Sequence, residues 1–304
     1  AVVQRALSHQ QLVSRVSDLT ERLDERLSVP TLTGKSRVMQ DLCARIGQML
    51  LVGFGGEGDP DGARFDARSA VARDVAQLHV GGVLLYGRAS AAAGRNIQSP
   101  TQVATLVADL QAFSARSRAR AKLDALPLLV ALDQEGGAVD RLPLRLGFSQ
   151  QTVSAQALGG NQMRAARDPA GTQRAIELSR GYASTLAAQL RSLGINLNLA
   201  PCVDVNVDPA SPVIGRPGRS FSSDPEVVSD QAWAFVRGFH AHGVLATLKH
   251  FPGHGSAAGD SHHSRIDVTH TYHRELELAP YRRLLALGYR DVVLVGHLVN
   301  GQID

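Results

Sequence analysis

The chain has 304 residues, 44% of them apolar and 20% charged, a balance that excludes a disordered protein. No apolar run approaches the roughly 18 residues of a membrane span. The formal charge of +4 comes from 32 basic and 28 acidic residues, and the arginines are spread out as solvated helix faces would be, which argues against nucleic-acid binding. Only three of the basic residues are lysines, Lys35, Lys122 and Lys249. Cys43 and Cys202 lie far apart and suit buried thiols better than a disulfide framework. There is no initiating Met and no secretory pattern, as expected of a processed or trimmed end. The compartment, bacterial periplasm, cell envelope or cytoplasm, is left open, and so is the oligomeric state.

In chain order, residues 5–27 read as a helical arm. Leu12, Val16, Leu19, Leu23 and Leu27 recur at spacings of three and four, and Pro30 ends the pattern. The arm, residues 1–44, is expected to pack on a main domain spanning 45–304 rather than to pair with another copy. Gly34-Lys35-Ser36 is not a phosphate-binding loop, because Val29 stands where the motif needs glycine. From about residue 48, strand-like and helix-like runs alternate. The strand runs are 49–54, 82–86, 128–132, 195–199, 244–248 and 292–295, mostly continuous apolar stretches as in parallel strands covered on both faces. Between them one helix opens with Ser99 as cap and Pro100 in its first turn, and carries Val103, Leu106, Val107, Leu110 and Phe113 on one face. Another carries Ile176, Leu186, Leu190 and Leu193 and stops at Gly194. A third opens at Asp224-Pro225-Glu226 and ends before Gly243, and the last runs from near Pro280 to Gly288.

Repeated strand–helix units predict an α/β fold, either a barrel or a doubly wound sheet. Two observations favour a TIM-type (β/α)8 barrel. Polar groups follow several different strands: Asp133, Asp204, Lys249 with His250, and His297. Gly53-Phe54-Gly55-Gly56, after the first strand, has the wrong spacing for a dinucleotide fingerprint.

Chemistry-bearing residues concentrate in two loops. Asp133-Gln134-Glu135-Gly136-Gly137 could bind a metal, hold sugar hydroxyls or form a tight turn. The richest stretch is Lys249-His250-Phe251-Pro252-Gly253-His254-Gly255, followed by Asp260-Ser261-His262. A cation and an imidazole stand at a strand's end, and Asp260 is close enough to His262 to orient its ring or raise its basicity. His263 is expected to be exposed. A zinc site from His254, Asp260, His262 and His263 fits no standard ligand spacing.

The stretch 249–262 resembles the loop after the fifth barrel strand in family 3 glycoside hydrolases, most closely the β-N-acetylglucosaminidase branch. Asp133–Gly137, Leu199–Val205 and Val213-Ile214-Gly215 with Arg219-Ser220-Phe221 are similar to other family motifs, over about residues 45–300. The resemblance implies a retaining β-N-acetylhexosaminidase acting on terminal N-acetylglucosamine, from peptidoglycan fragments, with no metal or organic cofactor. It implies that Asp133, Arg141, Arg219, Lys249, His250 and His297 bind the sugar, that Asp204 supports the site, and that His262 is the general acid/base with Asp260 as its partner.

Three departures stand out. Ala138 occupies a position where the family often has Arg. Arg216-Pro217-Gly218 lengthens the Arg219 motif and makes Arg216 a rival for its role. The strand runs number six rather than eight, and the family's nucleophile, an aspartate after its seventh barrel strand, has no counterpart here; Asp304 has no support as a replacement. The 304 residues are therefore expected to be inactive alone and to be part of a longer protein or a truncated relative. The alternatives are a non-catalytic sugar-binding or scaffold relative and a family 3 β-glucosidase, against which Asp260-Ser261-His262 argues.

Overall fold

A computed structural model describes residues 37–54, 64–86, 96–261 and 263–303. The expected arm helix over 5–27, His262 and Asp304 lie outside the described residues. Strands are β1 (Leu51–Gly53), β2 (Gly82–Leu84), β3 (Leu129–Leu132), β4 (Leu197–Asn198), β5 (Thr247–Phe251), β6 (Ile266–Asp267), β7 (Val292–Val295) and β8 (Leu298–Val299). Helices are α1 (Arg37–Gly47), which crosses the expected 44/45 boundary, α2 (Ala70–Arg73), α3 (Pro100–Ala121), α4 (Ala155–Arg164), α5 (Pro169–Ser192), α6 (Pro225–His240), α7 (Arg274–Glu277) and α8 (Ala279–Ala286).

Each expected strand run yields one strand: β1, β2, β3, β4, β5 and β7. β1 to β4 pair in chain order, all parallel. Parallel bridges Leu197–Leu245 and Cys202–Lys249 link β4 to β5, and β5 pairs in parallel with β7. Order therefore never reverses along the row, unlike a doubly wound sheet with its switch point. The β4 run is shorter than expected because asparagine side chains replace part of the ladder. Asn196 accepts from Val130 N–H at 2.7 Å and donates to Leu128 C=O at 2.9 Å. Asn198 clamps Gln134 the same way, at 3.0 and 2.9 Å. The small parallel pair β6–β8 ties the stretch after residue 260 to the exit of β7.

Alternation sorts each strand's side chains between two faces. Val83, Leu85, Val130, Leu132, Ala246 and Leu248 point toward the helices and form the main core with Leu106, Leu110, Leu186, Leu190, Phe235 and Phe239. The other face carries a smaller cluster: Ala131, Leu197 and Leu199, with Leu84, Leu129 and Val292 packed against it. The helix starts follow the sequence. Ser99 Oγ accepts from Gln102 N–H at 3.2 Å, and Asp224 Oδ1 accepts from Glu226 N–H at 2.8 Å. Of the two thiols, Cys202 is buried as expected, whereas Cys43 is only half-buried, and both are free.

Candidate active site

Because β3, β4, β5 and β7 are parallel, their exits share one end of the sheet. Asp133 follows β3, Asp204 follows β4, Lys249 and His250 lie within β5, and His297 comes two residues after β7. After Asp133 the chain makes a turn in which Gly136 and Gly137 take φ of +95° and +59°, a region that side chains rarely adopt. Val139 C=O closes the turn, accepting from the N–H groups of Glu135 and Gly136 at 3.1 Å each. Gln134 is buried and accepts from Arg141 N–H at 2.7 Å, so the turn also fixes the backbone of Arg141.

Lys249, one of the three lysines, is 1% exposed. Its Nζ stands 2.6 Å from Asp133 Oδ1 and 2.7 Å from Glu135 Oε1. Arg219 grips Glu135 with two bonds, Nε to Oε2 at 2.9 Å and a terminal nitrogen to Oε1 at 2.7 Å, and donates to Val213 C=O at 3.1 Å. The array is a row in which carboxylate and cation alternate, Asp133–Lys249–Glu135–Arg219, and such pairing is what lets buried charges be tolerated. Burial pushes the Glu135 carboxyl up, but Lys249 and Arg219 outweigh it and hold the group well below the usual carboxylate range. Burial pushes Lys249 down, and Glu135 and Asp133 more than restore it, so its pKa is raised and the ammonium stays charged. The side chain of Asp133 is 27% exposed and that of Glu135 5%. Asp133 is therefore reachable by a ligand, while Glu135 serves the two cations.

His250 is built on a second buried acid. Asp204 Oδ2 is 2.7 Å from His250 Nδ1 and accepts from the Cys202 thiol at 3.1 Å. Asp204 Oδ1 accepts from the backbone N–H of His250 at 3.1 Å and of His254 at 2.8 Å. Burial pushes Asp204 up, but His250, then His254 and the thiol, hold it well below the usual range. An ionised Asp204 can only accept, so Nδ1 of His250 carries a proton. Nε2 is then left facing Arg219 at 3.4 Å. Cys202, Asp204 and His250 place ligand-type atoms within 4.8 Å of one another. A metal there would have to replace these hydrogen bonds and take the proton of a thiol that burial, then the Asp204 charge, pushes well up. The trio is accounted for as a bracket for His250.

The remaining expected residues fall as follows. Arg141 is half-buried at the same exit, and its guanidinium has no ion-pair partner among the described residues. His297 is exposed, and the adjacent Gly296 packs on His250. Arg216 is exposed, so Arg219 alone of the two rivals joins the buried array. Asp260 is half-buried with Oδ2 3.7 Å from His263 Nε2, and His263 is exposed as expected. His262 lies outside the described residues. Sequence reasoning left Glu135 without a settled role and gave none to Ser261 or Glu277. Its only signal for Glu135 was an acid next to a Gly-Gly turn.

The matches to known proteins cover the same span as this site. The model of the glycosyl hydrolase family 3 N-terminal domain matches residues 42–304. Beta-hexosaminidase A of Pseudoalteromonas piscicida is 32% identical over 269 residues, 85% of this chain and 41% of that protein. A beta-hexosaminidase of Stenotrophomonas maltophilia is 36% identical over 226 residues, 74% of this chain and 58% of that protein. A family 3 beta-N-acetylglucosaminidase structure from Paenibacillus is 37% identical with a TM-score of 0.65, over 86% of this chain and 43% of that one. The chain thus spans about half the length of the curated relatives it matches. A match that takes in β1 to β8, with Asp133, Arg219, Lys249 and His250 all inside it, places this chain in glycosyl hydrolase family 3, where it corresponds to the N-terminal domain.

Proposed function

We propose that the full-length protein is a retaining β-N-acetylhexosaminidase that removes terminal N-acetylglucosamine from glycosides, with peptidoglycan fragments as the natural class. The observation that carries this reading is the buried array of Asp133, Lys249, Glu135 and Arg219 beside the Asp204–His250 bracket. It offers a pyranoside fixed donors from Lys249 and Arg219, a fixed acceptor in Asp133 and an imidazole Nε2 at hydrogen-bonding range. Arg141 and His297 line the rim. The sheet is read as the larger part of an eight-stranded barrel, since chain-order parallel pairing of β1 to β5 and β7 is what a barrel wall requires. Residues 1–44 are read as an arm separate from this domain.

In the reaction, an aspartate attacks C1 of the sugar while His262 gives its proton to the departing glycosidic oxygen. Water then attacks C1, His262 takes its proton, and the carboxylate leaves. Asp260 stabilises the imidazolium that precedes the first step and is re-formed in the second. The nucleophile is not among the residues assigned here; the family resemblance puts it after a further strand. No metal enters the scheme. The relatives' names support the substrate class, being those of a beta-hexosaminidase and a beta-N-acetylglucosaminidase.

The test pairs 4-nitrophenyl N-acetyl-β-glucosaminide with 4-nitrophenyl β-glucoside on the full-length protein. The expected result is a preference in kcat/KM of about tenfold or more for the N-acetyl sugar. Equal or faster turnover of the glucoside contradicts the assignment.

A further inference from the structure

The loop that leaves β5 is held at consecutive backbone groups. Tyr272 OH donates to Pro252 C=O at 3.0 Å, Asp204 accepts from His254 N–H at 2.8 Å, and Glu277 accepts from Gly255 N–H at 3.1 Å. Gly255 C=O in turn accepts from Asp208 N–H at 3.0 Å. Pinning both sides of His254 sets the direction of its side chain. The ring is 2% exposed and stands edge-on to the His250 ring, with centroids 5.7 Å apart and planes at 70°. At its other end Nε2 lies 3.2 Å from Ser261 Oγ. Ser261 is the residue between Asp260 and His262. Nδ1 is buried and has no hydrogen-bond partner. A proton on Nδ1 would be an orphaned buried donor, so the economical tautomer carries it on Nε2 and donates to Ser261. Burial lowers the pKa of the ring, with Asp204 opposing, which agrees with a neutral imidazole.

We propose that His254 is a positioning residue. Its ring spans from His250 at the sugar-binding array to Ser261 and so anchors the stretch that carries the proton-transfer pair assigned above. This rests on the reading of that pair given above. Among the described residues His254 is the hydrogen-bond partner of the Ser261 side chain, so the Nε2–Oγ bond ties the clamped segment 252–256 to the stretch that carries Asp260. Losing the link leaves the sugar contacts of Asp133 and Lys249 in place and loosens only the acid.

Ser261→Ala, His254→Phe and their combination test this in the full-length protein. Two readouts are needed. Hydrogen exchange over residues 257–265 reports the loop without requiring any turnover, with the strand 247–251 as internal reference. Turnover of an alkyl N-acetylglucosaminide, whose leaving group needs protonation, reports the acid; the 4-nitrophenyl glycoside needs it less. The expected result is faster exchange over 257–265 with an unchanged strand. The kcat for the alkyl glycoside should fall about tenfold, a fraction of what a general acid contributes, with KM within about twofold and a smaller loss on the 4-nitrophenyl substrate. The double variant should be no worse than either single one, since both remove one bond. His254→Gln, which keeps a donor, should recover part of the loss. Ser261→Ala with wild-type exchange and wild-type kcat overturns the proposal, as does a loss confined to KM. If the unaltered protein hydrolyses neither glycoside, the activity reading fails, and the exchange comparison still decides whether His254 holds the loop.

Discussion

Glu135 sits between Lys249 and Arg219 with 5% of its side chain exposed, and its charge is what makes two buried cations affordable. Removing that charge while keeping the shape, as in Glu135→Gln, leaves Arg219 without its carboxylate and Lys249 with Asp133 alone. Breaking a buried pair in this way costs about 3–5 kcal/mol. Denaturant titration measures it, and a loss below about 1 kcal/mol, the scale of a surface pair, would show that the array is not coupled. The pH dependence follows from the same contacts. Glu135 and Asp204 titrate well below their unfolded range, so each contributes stability above roughly pH 4 and gives it up as the pH falls. Glu277 acts in the opposite sense: burial raises its pKa, so it gives up stability as the pH rises through the carboxylate range. Thermal midpoints should accordingly drop more steeply with acid for the wild type than for Glu135→Gln. Parallel curves would remove Glu135 from the acid response.

At the level of elements, α5 and α6 make the most extensive helix–helix contact among the described residues. A Cβ at Gly238 would stand 2.7 Å from Ala183 Cβ and 2.8 Å from Arg180 C=O. Helix propensity alone favours Gly238→Ala by up to about 1 kcal/mol, but overpacking against backbone costs about 1–3 kcal/mol. The variant should therefore lower the thermal midpoint by several degrees, and a rise would mean that α5 and α6 can separate freely. Much of this layer was legible in the sequence. Ser99 and Asp224 announce helix starts because their side chains accept from N–H groups that have no partner in the first turn. Strand limits were less legible. The run 244–248 becomes a strand at Thr247–Phe251, since Val244 N–H is taken by the end of α6 and Ala246 N–H by Asp291 Oδ2 at 2.9 Å. The bond to Asp291 comes from 45 residues away, which no local pattern reports. β6 and β8, two residues each, are too short to show a period.

Across the whole molecule, chain-order parallel pairing gathers onto one edge residues that lie as far apart in sequence as Asp133 and Lys249. That is why these residues could be singled out from motifs while their mutual contacts could not. Asp133, Arg219, Lys249 and His250 were each marked by their loop, yet Glu135 as the shared counter-charge of Lys249 and Arg219 emerges only when β3 and β5 share an end. Lys249, one of three lysines in the chain, is buried at a strand's end. Apolar residues are exposed at the margins of the sheet, Leu51 at 40% on β1 and Val295 at 63% on β7. These are the two strands at the ends of the described row. The central claim is that this edge binds the sugar, and a crystal structure of the full-length protein with N-acetylglucosamine tests it most directly. The account predicts ring hydroxyls within about 3.2 Å of Asp133, Lys249 and His250, with Glu135 and Asp204 touching those side chains and not the sugar. A sugar bound away from the strand exits, or one that leaves the Lys249–Asp133 pair untouched, would contradict it.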